Sequence, residues 1–114
     1  MNDHVTVLGT KYTIRYEKKE NCNLLGDSSG ICDTSTKTIY IANNGEPTPD
    51  MKQDIRAYER QTLRHEIVHA FMHESGLSNN GPATDAWPED EPLMDWIAIQ
   101  HSKLHKAFKK AGAL

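Results

Sequence analysis

The stretch 63–75 reads "LRHEIVHAFMHES" and places His65, His69 and His73 four residues apart. Around them, Leu63, Ile67, Ala70 and Phe71 recur at helical spacing, and the stripe extends back through Thr62, Tyr58, Ile55 and Met51. This period predicts an amphipathic helix of about 26 residues from near Pro49 to Gly76, with room for a boundary or kink near 58–61. Thr48 or Asp50 can cap its start, Pro49 suits its first turn, and Gly76 is a natural stop.

Outside the helix the period changes. In "HVTVLGTKYTIRYEK" (4–18), Val5 and Val7, then Tyr12, Ile14 and Tyr16, alternate with polar neighbours, and Gly9-Thr10-Lys11 reads as a turn or bulge. "KTIYIA" (37–42) is a third short strand, whereas "ENCNLLGDSSGICDTSTK" (20–37) is rich in turn formers. "SNNGPATDAWPED" (78–90) has loop composition. Pro92 then suits the first turn of a last helix whose inner face would be Leu93, Trp96, Ile97, Gln100, Leu104 and Phe108. Strands followed by helices in 114 residues predict one α+β domain spanning 1–114.

Residues four apart on a helix share a face, about 6 Å apart along the axis. His65 and His69 can therefore aim their imidazoles at one point, and Glu66 lies beside that point without having to be a ligand. Zn²⁺ takes imidazole nitrogen at about 2.0–2.1 Å in four-coordinate sites. "HEIVH" is thus the H-E-x-x-H arrangement of zinc metalloproteases, with Glu66 as general base and acid. The bland alternative is a helix with two surface histidines; the apolar neighbours at 70–72 weigh against it.

A catalytic zinc site needs a third protein ligand and an open position. His73 is about 12 Å along a straight helix from His65, too far to share one ion with both. "DEPLMDW" (90–96) offers Glu91 as ligand, with Asp95 one turn on to hold the far nitrogen of His65. Acid enrichment at a helix N-terminus is the plain alternative, and Glu89 and Asp90 compete with Glu91 on charge alone.

With those residues in place, the chain resembles the gluzincins. "HEIVH", Glu91 and the Glu-x-x-x-Asp spacing of Glu91 to Asp95 carry the likeness. Within that group it is most similar to single-domain minigluzincins and small phage- or mobile-element-encoded metallopeptidases. The resemblance implies a zincin-like fold, with a three-stranded antiparallel or mixed sheet packed on an active-site helix and a C-terminal glutamate helix. It implies zinc on His65, His69 and Glu91, Glu66 as the catalytic residue, and Asp95 behind His65. It further implies that "KTIYIA" is the cleft edge along which an extended peptide pairs. Pro92, directly after the expected ligand, and Asp90, where the family has another polar residue, depart from the pattern. No oxyanion donor follows from spacing; His101 and Tyr40 are the residues to inspect.

The remaining features set bounds. Thirteen basic against sixteen acidic residues give a net charge of -3, which speaks against nucleic acid as partner. The polar N-terminus and the lack of any apolar run near 20 residues predict no signal peptide and no membrane span, hence a cytoplasmic chain; it is expected to be a monomer, and the resemblance implies a peptide or protein as its substrate. Cys22 and Cys32 read as reduced thiols, with a bridge across a hairpin left open. His101 and His105 stand four apart among lysines and read as a solvated face. Trp96 reads as core, while Trp87 sits in a loop between prolines. The alternative to a peptidase is a zinc-containing or degenerate peptidase-fold protein used as an interaction module, and a weaker one is a metal-dependent hydrolase of non-peptide amides.

Overall fold

Val7, Tyr12, Ile39 and Ile41, the alternating apolar positions of the N-terminal third, are fully buried together against Ala70 of the long helix. The computed structural model describes residues 3–50, 53–77 and 90–114. Four strands form one mixed sheet: β1 (His4–Val7), β2 (Thr10–Glu17), β3 (Gly30–Asp33) and β4 (Thr38–Ala42), in the order β1-β2-β4-β3. β1 and β2 are antiparallel, β2 and β4 parallel, and β4 and β3 antiparallel. The helices are α1 (Ile55–Glu74) and α2 (Glu91–Lys110). The α+β class is as expected, but the sheet has four strands, not three.

The added strand corrects more than a count. β3 is four residues long, begins with Gly30 and lies within the turn-rich stretch 20–37. Its strand character comes from pairing Ile31 with Tyr40 and Cys32 with Ile39 of β4. Asp33 opens the turn between them by accepting hydrogen bonds from the Ser35 N–H and hydroxyl at 3.1 and 2.6 Å. "KTIYIA", expected at the edge, is therefore an inner strand between β2 and β3, and β3 is the edge on the α1 side. The first hairpin turns at Leu8 and Gly9, both at positive φ, which is the pattern of a two-residue type I′ turn.

α1 begins later than its apolar stripe suggested. Asp54 is its cap, its carboxylate accepting from the Ala57 N–H at 3.1 Å. Thr48 and Asp50 cannot serve, because the Thr48 hydroxyl donates to Asp50 and both precede the helix. Met51 lies outside the described residues. The helix ends where expected, with Gly76 at φ 86° and its N–H donating to the His73 carbonyl at 3.0 Å.

α2 starts as expected, with Asp90 as cap and Pro92 in the first turn. Its buried face, however, is Met94 and Ala98, which meet α1. Trp96 and Phe108 are about half exposed, against expectation. Asp95 must face His65, and that rotation carries Trp96 to the outside. Arg64 clamps the pair by donating from Nε to the Ala98 carbonyl at 2.7 Å. No described helix is long and apolar enough to cross a membrane.

At the other end of α1, Glu74 ties the helix to the sheet. Its carboxylate accepts from Thr10 Oγ1 (2.9 Å), Tyr12 Oη (2.6 Å) and Lys37 Nζ (2.8 Å). Those donors, Lys37 first, hold its pKa down at about 2, below the ordinary 4.5. A depressed carboxylate contributes stability that is complete above the ordinary value and is lost as pH falls through the folded one. Acid titration of the native protein should therefore show a loss of thermal stability between about pH 4.5 and 2. Glu74→Gln should lower the melting temperature above pH 5 and flatten that acid limb. Equal acid limbs in both proteins would refute the role.

Cys22 and Cys32 are free thiols. Cys22 packs with Leu25 and Ala42, whereas Cys32 packs with Tyr12 and Ile39 on the α1 side, so the sheet stands between them. Burial, then the nearby Glu66 charge, pushes the Cys32 thiol up to about 12, which leaves it un-ionised near neutral pH.

Candidate metal centre

α1 presents His65 and His69 on successive turns of one face, and α2 crosses that face with its first two turns. The Glu91 carboxylate lies between the rings, 2.6 Å from His65 Nε2 and 3.0 Å from His69 Nε2. The two Nε2 atoms are 3.2 Å apart. Asp95 Oδ1 sits 2.7 Å from His65 Nδ1, on the far side of the ring. The spacing Glu91 to Asp95 is one helical turn, so a single helix supplies both carboxylates to the two nitrogens of one imidazole. His65 is buried, while the Glu91 side chain is two-thirds exposed.

The donor set fits a cation. In the neutral ring, the Nδ1 proton of His65 goes to Asp95, which leaves Nε2 as a lone pair. That lone pair faces a carboxylate oxygen at 2.6 Å and a second imidazole nitrogen at 3.2 Å. His69 can donate from Nε2 in its neutral form, but the His65 lone pair against the Glu91 oxygen needs a positive charge between them, either a proton or a metal ion. Two ligands of a tetrahedral zinc lie about 3.3 Å apart, given bonds of about 2.05 Å. The two separations made by His69, 3.0 and 3.2 Å, fall just inside that value, whereas His65 Nε2 and Glu91, at 2.6 Å, would have to part by about 0.7 Å to admit the ion. A proton is the other way to satisfy the group: burial opposes charge on His65, but Asp95, Glu66 and Glu91 together outweigh it and raise its pKa.

Glu66 lies beside this group without joining it as closely. Its Oε2 is 3.9 Å from His65 Nε2. With His65 and His69 it can bring one donor atom each within 4.8 Å of one another, so on distance alone it is also a candidate ligand. Glu91 is nearer to both rings. Glu66 is 6% exposed, and burial first, with Glu91 and Asp95 adding, lifts its carboxyl to about 7 against the pull of His65.

Gly30 explains how β3 reaches this carboxylate. A Cβ at Gly30 would stand 2.7 Å from Thr62 Cγ2, 3.2 Å from Glu66 Cγ and 3.3 Å from Glu66 Oε2. Only a residue without a side chain lets the edge strand lie flush on α1 there. The result is an open cleft of about 290 Å³, lined by Gly30 with Ser28 and Ser29 before it, by Tyr58, Gln61 and Thr62 of α1, and by His65, Glu66, Glu91 and Asp95. The sequence reading missed Gly30, Tyr58 and Gln61. Gln61 had a signal, one turn before His65, but Gly30 had none without the strand that carries it.

Other candidates lie elsewhere. The His73 side chain is 28% exposed near the end of α1, with its Nε2 3.9 Å from Glu74 Oε2. Tyr40 packs beside Cys22 and Leu25 on the sheet face away from α1, and His101 is exposed with Nδ1 3.2 Å from the Ala98 carbonyl. Neither lines the cleft, so neither is placed as an oxyanion donor. His105 is exposed, and Asp90 is occupied as the α2 cap. Trp87 and Glu89 lie outside the described residues.

Compared with protein-family models, curated proteins and solved structures, the chain has no match. The gluzincin likeness therefore rests on the motif residues, and the case for a function rests on the geometry around them.

Proposed function

We propose that this chain is a zinc-dependent metallopeptidase, with a zincin-like arrangement in which His65, His69 and Glu91 hold the ion. The observation that carries this reading is the meeting of His65, His69 and Glu91 from two helices, with Asp95 engaging His65 Nδ1 and the buried Glu66 alongside. A bound zinc ion supplies Lewis acidity, which makes water a competent nucleophile near neutral pH and polarises a carbonyl.

The chain's own groups do the rest. Asp95 fixes the tautomer and direction of His65 and strengthens it as a ligand. Glu66 takes the proton of the attacking water on its carboxylate and passes it to the leaving nitrogen. Its Oε2, 3.9 Å from His65 Nε2, stands beside the point at which such a water would sit. Among the described residues β3 has no strand on its outer side, and its Gly30 borders the cleft. Its free backbone groups can pair with an extended peptide, which moves the docking edge from "KTIYIA" to β3.

The test is protein loaded with one equivalent of zinc and offered casein or a peptide library. Cleavage that stops on chelation and returns with zinc is expected. Full zinc occupancy with no peptide bond cut in any substrate would overturn the reading and leave the ion as a clasp between helices.

A further inference from the structure

Beside the histidines and acids, the cleft continues towards the N-terminal end of α1. There its described lining is Ser28, Ser29, Tyr58, Gln61 and Thr62. Every one of these side chains can hydrogen-bond, none is a cation, and no aliphatic side chain is among them. Some are already engaged: Ser29 Oγ and Tyr58 Oη are bonded at 2.5 Å, and Thr62 Oγ1 donates to the Tyr58 carbonyl at 3.0 Å. Gln61 is different. It is half-buried, on the turn before His65, and its carboxamide has no hydrogen-bond partner among the described residues. Such a group offers two N–H donors and an acceptor oxygen towards whatever enters.

We infer that Gln61 selects the substrate: the peptide carries an uncharged hydrogen-bonding side chain, Ser, Thr, Asn or Gln, in the pocket on this side of the scissile bond. This rests on the peptidase reading above. An apolar side chain there would strip water from the Gln61 carboxamide and the Ser28 hydroxyl and return no hydrogen bond. An acidic one would find no described Lys or Arg in the cleft to receive it, and the two charges of a zinc ion do not offset the three of Glu66, Glu91 and Asp95. A basic one would find no carboxylate among Ser28, Ser29, Tyr58, Gln61 and Thr62 to pair with, because the acids of the cleft surround the ion.

A hydrogen bond to the Gln61 carboxamide in a half-buried pocket corresponds to a preference of about 5–10-fold. The experiment uses zinc-loaded full-length protein and a peptide series varied at each position flanking the cut site. At one position kcat/KM should be highest for Asn, Gln, Ser or Thr, about 5–10-fold over Leu or Phe. Gln61→Leu should bring that ratio to one or below, with zinc content and circular dichroism unchanged. In parallel, the same peptides are titrated against zinc-loaded Glu66→Gln protein, where binding is read without turnover.

Hydrolysis with an apolar, acidic or basic preference at both flanking positions overturns the inference and leaves the peptidase reading intact. So does a preference that Gln61→Leu does not move. Selective binding of the polar peptides without any hydrolysis sinks the peptidase reading and keeps the pocket. Neither binding nor hydrolysis removes both.

Discussion

Glu66→Gln should reduce peptide hydrolysis by about 10²–10⁴-fold, the usual contribution of a positioned general base, while the protein still binds one equivalent of zinc. The amide is isosteric with the carboxylate, so its fit against Gly30 is kept. What is lost is the group that moves the proton. The fall should appear in kcat, with KM changed little, because under the proposed function the substrate's backbone would pair with β3 and not with Glu66. The measurement pairs steady-state kinetics with elemental analysis of the same preparation. Zinc lost together with activity would mean that Glu66 is a ligand, which its 3.9 Å distance from His65 Nε2 leaves less favoured than Glu91 at 2.6 Å. Activity retained within a few-fold would remove Glu66 from the mechanism altogether.

Chelation should have the largest effect on stability. His65 and His69 belong to α1 and Glu91 to α2, so the proposed ion would join two helices whose other described ties include the contact of Asp95 with His65 and the Arg64 bond to the Ala98 carbonyl. A ligand that binds only the folded chain adds about 2.7 kcal/mol at a hundred times its Kd and about 4.1 at a thousand times. For a domain of this size each kcal/mol moves the melting temperature by about 3–6 °C. Removing zinc should thus lower Tm by about 10 °C or more, and Glu91→Ala should show most of that loss even with zinc present. Scanning calorimetry with and without a chelator checks both. A Tm indifferent to the chelator would mean that the acceptor group is held together by a proton on His65, and the metal assignment would fall.

Much of the site is written in local spacing along the chain. The interval His65 to His69 is one helical turn, and so is the interval Glu91 to Asp95; periodicity alone puts each pair on a shared face. The Asp90-Glu91-Pro92 run marks a helix start with its acid pointing outward, and α2 begins there. The reading went astray where burial and pairing decide. Trp96 is the largest apolar side chain on its helix, yet it is half exposed, because α2 is rotated by the demand that Asp95 reach His65. Thr48 and Asp50 are sound caps by residue type, but the Thr48 hydroxyl engages Asp50 and Asp54 performs the capping.

The fourth strand marks the boundary most clearly. Helical spacing is a local property: each imidazole is placed by the few residues around it, so the histidines, Glu66 and the two acids of α2 were specified by sequence position. Four residues led by a glycine have no local reason to be extended. β3 exists because β4 offers it hydrogen bonds and because Gly30, lacking a Cβ, can rest on Thr62 and Glu66. The edge of the cleft, the meeting of Glu91 with both rings and the polar pocket around Gln61 all depend on groups far apart in the chain. Their positions are set by how the sheet and the two helices pack, which no spacing along the chain encodes.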